Sequence, residues 1–250
     1  MMNRLYIKNE LLFAIIWIVI YVFGLGAADN LSKTLGMEKI ITVVVSILLS
    51  VVLFVWVQNN DLFRKYGLCR PQIPASKMLY YIPLILMVSV NLWYGVSMNL
   101  SVSETVFYII SMLAVGFLEE IIFRGLLFQA MCKENVKAAV IVSSITFGMG
   151  HIVNLINGSG VDLLSNVLQV GYAIAAGFLF TIIFCKTKSL LACIGTHSVL
   201  NALSVFGNET AMTAGKEIIS AAALAGISIL YTIYILKLDG NRSGMEDETI

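Results

Sequence analysis

Residues 41–57 read ITVVVSILLSVVLFVWV, a run without a charge, a proline or a glycine. As a helix it would be roughly 25 Å long at ~1.5 Å per residue, close to the ~30 Å of a bilayer's hydrocarbon core. A barrel strand would alternate polar and apolar residues, and this run does not. In lipid the remaining way to satisfy every backbone group within one segment is a helix. Similar runs occupy residues 11–28, 79–97, 105–130, 138–154, 166–184, 190–206 and 217–236, making eight with 40–57.

The whole chain agrees with that stretch. Of its 250 residues, 59% are hydrophobic and 12% charged, about half the ~25% charged of a soluble domain; mean hydropathy is +0.90. A soluble enzyme and a disordered scaffold are excluded, and the net charge of +1 offers no electrostatic basis for a nucleic-acid partner. The expected fold is all-α, a polytopic membrane protein of about eight transmembrane helices around a buried polar site. A single domain over 1–250 suffices, with 239–250 a flexible acidic tail.

Charge sets the expected orientation. With the N-terminus in the cytoplasm, Arg4, Lys8, Arg64, Lys65, Arg70, Lys77, Lys133, Lys137, Lys186, Lys188, Lys237 and Arg242 lie inside, and Lys33, Lys39 and Lys216 outside. That asymmetry follows the positive-inside rule, so both termini are expected in the cytoplasm, here of a bacterial plasma membrane. The first segment has signal-peptide features, namely Arg4 and Lys8, an apolar run, and the small residues Gly24, Gly26, Ala27 and Ala28. The run is long for a signal peptide and is read as the first span. Cys69, Cys132, Cys185 and Cys193 fall at or near the reducing side, form no Cys-x-x-Cys pair, and point to neither disulfides nor a thiolate metal site.

Subtracting the loops leaves Glu119, Glu120 and Arg124 as the ionised side chains deep inside spans, and both histidines of the chain, His151 and His197, are intramembrane too. Such groups are expensive in lipid and mark a site by default. Glu119 and Glu120 lie about 15–18 Å from the inner end of their span, His151 about 20 Å, His197 about 11 Å and Asn201 about 17 Å. One slab near mid-bilayer therefore holds them all, on three helices. Glu120 and Arg124 are spaced i,i+4 and can pair; Glu119 is turned ~100° away from that pair. His197 and Asn201 are also i,i+4, and Phe147 shares a face with His151. A carboxylate with an imidazole can hold and deprotonate a water. A second imidazole with a carboxamide can donate to a developing oxyanion. Hydrolysis of a carbonyl compound needs no more than this.

The same residues carry a resemblance. Phe-Leu-Glu119-Glu120-Ile-Ile-Phe-Arg124-Gly resembles the Glu-Glu-x-x-x-Arg motif of the CPBP family, Phe147-Gly-Met-Gly-His151 its Phe-x-x-x-His motif, and His197-Ser-Val-Leu-Asn201 its His-x-x-x-Asn motif. That family comprises type II CAAX prenyl endopeptidases and Abi-like proteins of bacteriocin processing and immunity. The resemblance covers 117–201; residues 1–104 carry no motif of the family. It implies an intramembrane endopeptidase of the glutamate type, with Glu119 the general base working with His151 on a water, and His197 and Asn201 the oxyanion site. Glu120, Arg124 and Phe147 would support them. The implied substrate is a membrane-associated peptide or a lipidated protein in the lipid bilayer. No cofactor is expected; zinc held by Glu119, His151 and His197 is the alternative, although no His-Glu-x-x-His helix is present.

Other readings stand beside this one. Glu120 and Arg124 can be a helix-stabilising pair. Gly158-Ser159-Gly160 offers a serine in an outer loop, and Cys193 is i,i+4 from His197, an arrangement a cysteine dyad would need. A non-catalytic immunity or scaffold protein of the same fold would act by binding, but has no need of a costly buried base. A transporter would show interrupted spans in two related halves, which this sequence lacks.

Overall fold

The computed structural model describes residues 2–155 and 160–238. The acidic tail 239–250 and Ser159 of the outer-loop Gly-Ser-Gly lie outside these. The fold is 81% helical, with no strand among the described residues and one isolated antiparallel bridge between Val96 and Gly207.

A short helix, α1 (Met2–Lys8), precedes the long α2 (Glu10–Thr34) and α3 (Ile40–Asn59). The next crossing is broken: a 3-10 segment Ala75–Tyr81 with left-handed Leu79, Tyr80 and Tyr81 leads into α4 (Ile82–Ser89) and a 3-10 turn to Leu92. Ser101 and Glu104 form a capping box that starts α5 (Val102–Glu119), satisfying donors that a helix start otherwise leaves open. Beyond Glu119 this helix continues as a nine-residue π-helix, Glu120–Phe128, and ends in α6 (Gln129–Cys132). Then come α7 (Val136–Gly150, running on as a 3-10 turn to Leu155), α8 (Leu163–Thr187), α9 (Leu191–Leu203, extended to Phe206) and α10 (Ala214–Lys237). Among the described residues, seven of these crossings are long and apolar enough to span a membrane. The eighth expected span is there as the shorter apolar helix Leu191–Phe206.

The apolar surface is turned outward. On α3, Val44, Leu48, Val51 and Val55 are exposed at helical spacing, while Thr42 and Ser46 are buried among neighbouring helices. Small and polar residues inside, branched apolar ones outside, is how helices pack when lipid is the solvent. This is an integral membrane protein.

The loops alternate between two ends of the bundle. At one end Glu10 pairs with Lys65 and Lys133, each at 2.8 Å, and Asn3 donates to Asn60 at 2.8 Å. At the other, Lys39 pairs with Asp29 at 2.8 Å, Glu38 N–H donates to the Glu104 carboxylate at 3.0 Å, and Ser97 N–H donates to the Phe206 carbonyl at 2.9 Å. The first end carries most of the lysines and arginines; we call it the basic end.

Two glycines set the separation of the central helices. A Cβ on Gly116 of α5 would lie 2.4 Å from the Ser198 hydroxyl and 2.6 Å from its backbone on α9; one on Gly148 of α7 would lie 2.7 Å from the Ile174 nitrogen on α8. The first contact draws Glu119 and Glu120 up to His197, which is next to Ser198. Gly116→Ala should therefore push α5 and α9 apart at an overpacking cost of about 1–3 kcal/mol. Melting of the purified protein in detergent should show a clear loss of Tm. Gly195→Ala on the same helix α9, where nothing lies within 4 Å, should melt like the parent.

Candidate active site

Glu119 is the last α-helical residue of α5 and Glu120 the first of the π-helix. A π turn holds one more residue than an α turn, and such segments are frequently found at functional sites. Here all nine of its residues are buried, and its Phe123 carbonyl accepts the Ser143 hydroxyl of α7 at 2.8 Å. That bond ties the glutamate helix to the helix carrying Phe147 and His151.

Four ionisable groups, on the glutamate helix and on α9, form one cluster. Arg124 Nη1 donates to Glu120 Oε1 at 3.1 Å, and both residues are 0% exposed. His197 Nδ1 is 2.8 Å from the same Glu120 oxygen, while its Nε2 lies 3.1 Å from Glu119 Oε2. The other Glu119 oxygen accepts the hydroxyl of Tyr21 on α2. Only an imidazolium carries a proton on both ring nitrogens at once. In that state the two carboxylates meet two cations and the cluster has no net charge, the condition under which ions are tolerated in low dielectric. His197 is thus held between the two glutamates, in addition to standing beside Asn201.

Phe147 packs the cluster from α7. Its ring meets His151 and His197 edge-on, with centroids 5.6 and 5.5 Å away. The Arg124 guanidinium lies 4.0 Å from its ring centroid, which is cation–π geometry. That stacking suits Arg124, whose Nε and Nη2 have no hydrogen-bond acceptor among the described residues. Cys193 donates weakly to the Phe180 carbonyl at 3.6 Å and is fully buried.

His151 and Asn201 reach the same place from different helices. Both line a cavity of about 420 Å³ together with Glu119, Phe147, His197 and Tyr21. Asn166 of α8 fixes the backbone turn at His151, its side-chain amide donating to the His151 carbonyl at 2.8 Å. Each glutamate keeps one oxygen, Oε2, outside any aligned hydrogen bond among the described residues. What separates the two acids is what surrounds them. Glu119 lines the cavity, whereas Glu120 does not and is enclosed with Arg124. Residues from α5, α9 and the turn after α7 therefore line one pocket.

Both nitrogens of His197 face carboxylates, and among the described residues no group of three or more His, Cys, Asp or Glu side chains is placed to hold a metal ion.

Tyr21 is the site residue that motif reading misses. Its signal was present: Phe13, Trp17, Tyr21, Leu25 and Ala28 recur at helical spacing along the buried face of α2. A hydroxyl in the middle of such an apolar stripe calls for a polar partner inside the bundle.

The two glutamates should separate experimentally. Removing Glu120 leaves Arg124 and one nitrogen of His197 without their anion, and breaking a buried pair costs about 3–5 kcal/mol. Glu120→Ala and Arg124→Ala should each lower yield and Tm, and the double variant should recover part of the loss. Glu119→Ala should stay closer to the parent, because Tyr21 loses only a hydroxyl partner and His197 keeps Glu120. Thermal melts in detergent decide this; a Glu119→Ala protein that melts far below Glu120→Ala would reverse the two roles.

The comparisons with known proteins bear on the same segment. Neither the search of curated proteins nor that of solved structures found a match. Residues 101–203, from the α5 capping box through all three motifs to the last residue of α9, match the family described as type II CAAX prenyl endopeptidase, Rce1-like.

Proposed function

We propose that this protein is an intramembrane endopeptidase that hydrolyses a peptide bond of a membrane-associated peptide or lipidated protein with a glutamate-activated water. The observation that carries the reading is the contrast between the two adjacent glutamates. Glu120 is sealed with Arg124, whereas Glu119 faces a cavity that it shares with both histidines and Asn201. A purely structural cluster has no need to turn a carboxylate toward open space. The match of residues 101–203 to a peptidase family supports the reaction class.

In this mechanism Glu119 Oε2 takes a proton from a water held between it and His151, and the hydroxide attacks the peptide carbonyl. Tyr21 orients Glu119 through the other oxygen. As Glu119 becomes protonated its hold on His197 Nε2 weakens, and that N–H turns, with the Asn201 amide, to the oxyanion of the tetrahedral intermediate. Glu120 keeps His197 in place through Nδ1 during the step. Collapse of the intermediate returns the Glu119 proton to the leaving amine. No metal takes part, and no cofactor is required. In this reading the protein lies in a bacterial plasma membrane with both termini in the cytoplasm, the side on which its basic loops would be retained.

Glu119→Gln keeps the volume and removes the base, so cleavage of a substrate peptide, read by mass spectrometry, should fall by at least ~10²-fold with the folded protein still recovered. His151→Ala should behave similarly; Asn201→Ala should lose less, as one oxyanion donor of two. Exhaustive chelation should leave activity unchanged. Undiminished cleavage by folded Glu119→Gln would remove the glutamate mechanism, and loss on chelation reversed by added zinc would replace it with a metallopeptidase.

A further inference from the structure

The cavity that contains Glu119 has a direction. Its far wall is built by Asp29 at the end of α2, Lys39 before α3, Asn91 after α4, Asn154 after α7, Gln169 near the start of α8 and Ser204 after α9. All six stand at the end of the bundle opposite the basic end, on six different elements. A second cavity of about 300 Å³ shares Asn91, Gln169 and Ser204 with it and continues between α8 and α10 to Asn208 and Glu209. Toward the basic end the path is closed. Arg124, Phe128, Phe180, Phe184 and Tyr66 are each at most 2% exposed and fill the space between the glutamates and the inner loops. Among the described residues, none at the basic end lines either cavity.

Charge identifies the two faces. Arg64, Lys65, Arg70, Lys77, Lys133, Lys137, Lys186 and Lys188 all belong to loops or helix ends at the closed end, whereas Lys33, Lys39 and Lys216 are at the open end. The side rich in lysine and arginine is retained in the cytoplasm.

We propose that Glu119 is reached from the non-cytoplasmic face, and that the substrate is a peptide segment presented at the outer leaflet, such as an exported or membrane-anchored peptide, rather than the tail of a cytoplasmic protein. This rests on the peptidase reading for what happens in the cavity, but not for how the cavity is entered. The mouth suits a polypeptide. Asn91, Asn154, Gln169 and Ser204 give it neutral polar walls already tied into the fold, Asn154 donating to Gln169 at 3.1 Å and Asn91 to the Leu200 carbonyl at 2.7 Å, so a polar backbone can pass without a charge to displace. Lys39 is held by Asp29 and lies near Tyr108, 5.7 Å from its ring centroid, so this cation at the entrance is already compensated. Deeper in, Met87, Met112, Val115 and Leu224 give apolar walls that would exclude water from the scissile bond.

Access can be measured without turnover. Ser204→Cys at the mouth and Met112→Cys on the inner wall are exposed to a small, charged, membrane-impermeant thiol reagent, in intact cells and in inverted vesicles, with modified peptides identified by mass spectrometry. Both introduced thiols should be modified in intact cells and protected in inverted vesicles, and the native Cys69 at the closed end should show the reverse. Modification of Ser204→Cys only in inverted vesicles would reverse the orientation and overturn the proposal. Modification of Met112→Cys only in inverted vesicles, or from neither side, would overturn the entry route. An inactive enzyme leaves this labelling unchanged, so its failure and that of the peptidase reading, tested by Glu119→Gln, are separately visible.

Discussion

Two adjacent carboxylates inside a membrane protein must be neutralised by cations, and their own helix supplies one alone. Desolvating a carboxylate costs several kcal/mol even after relaxation, and Glu119 and Glu120 are 7% and 0% exposed. The first cation is Arg124, a turn further along the chain. The second comes from α9 as His197, which turns one nitrogen to each glutamate. Placing both glutamates on one imidazole demands that α5 and α9 approach closely and hold one depth. Much of the remaining architecture meets that demand.

Gly116 meets the distance requirement, because it lets the backbone of α5 rest against Ser198. The π-helix meets the rotational one. By widening the turn after Glu119 it carries nine consecutive residues through the core and brings the Phe123 carbonyl to Ser143. Phe147 then fills the angle between Arg124, His151 and His197 with a single ring that stacks on the cation and meets the imidazoles edge to face. These contacts are mutually dependent. Aromatic packing holds Arg124 where its unsatisfied nitrogens do least harm, and Arg124 holds the glutamate that holds His197.

The asymmetry of the cavity follows from the same packing. Aromatic residues of the π-helix, of α8 and of the loop after α3 close the basic end, while polar ends of six elements wall the opposite one. α9 is the short crossing, and beyond it Asn201 and Ser204 line open space. The site is thereby open at one end of the bundle and closed at the other, and which molecules meet it is decided by the direction of that opening before any side-chain selectivity acts.

Much of this was legible in the sequence, because its signals are local. Continuous apolar runs mark crossings, since lipid forbids other backbone forms, and the basic loops, such as the one carrying Arg64, Lys65, Arg70 and Lys77, mark one end of the bundle through charge rather than contacts. Glu119, Glu120, Arg124, His151, His197 and Asn201 stood out because charge and imidazole are rare in such runs. Their convergence at one depth could be reckoned from helical rise alone. Tertiary structure decided the rest. Nothing local states that His197 turns to both glutamates, that Tyr21 of an otherwise unmarked helix completes Glu119, that α5 changes to a π-helix at Glu120, or that the cavity opens away from the basic end. Rise along a helix is a property of the backbone and can be counted. The rotation of one helix against another is set by side-chain volumes on both, such as the missing Cβ of Gly116 facing Ser198, and exists only when the helices are packed.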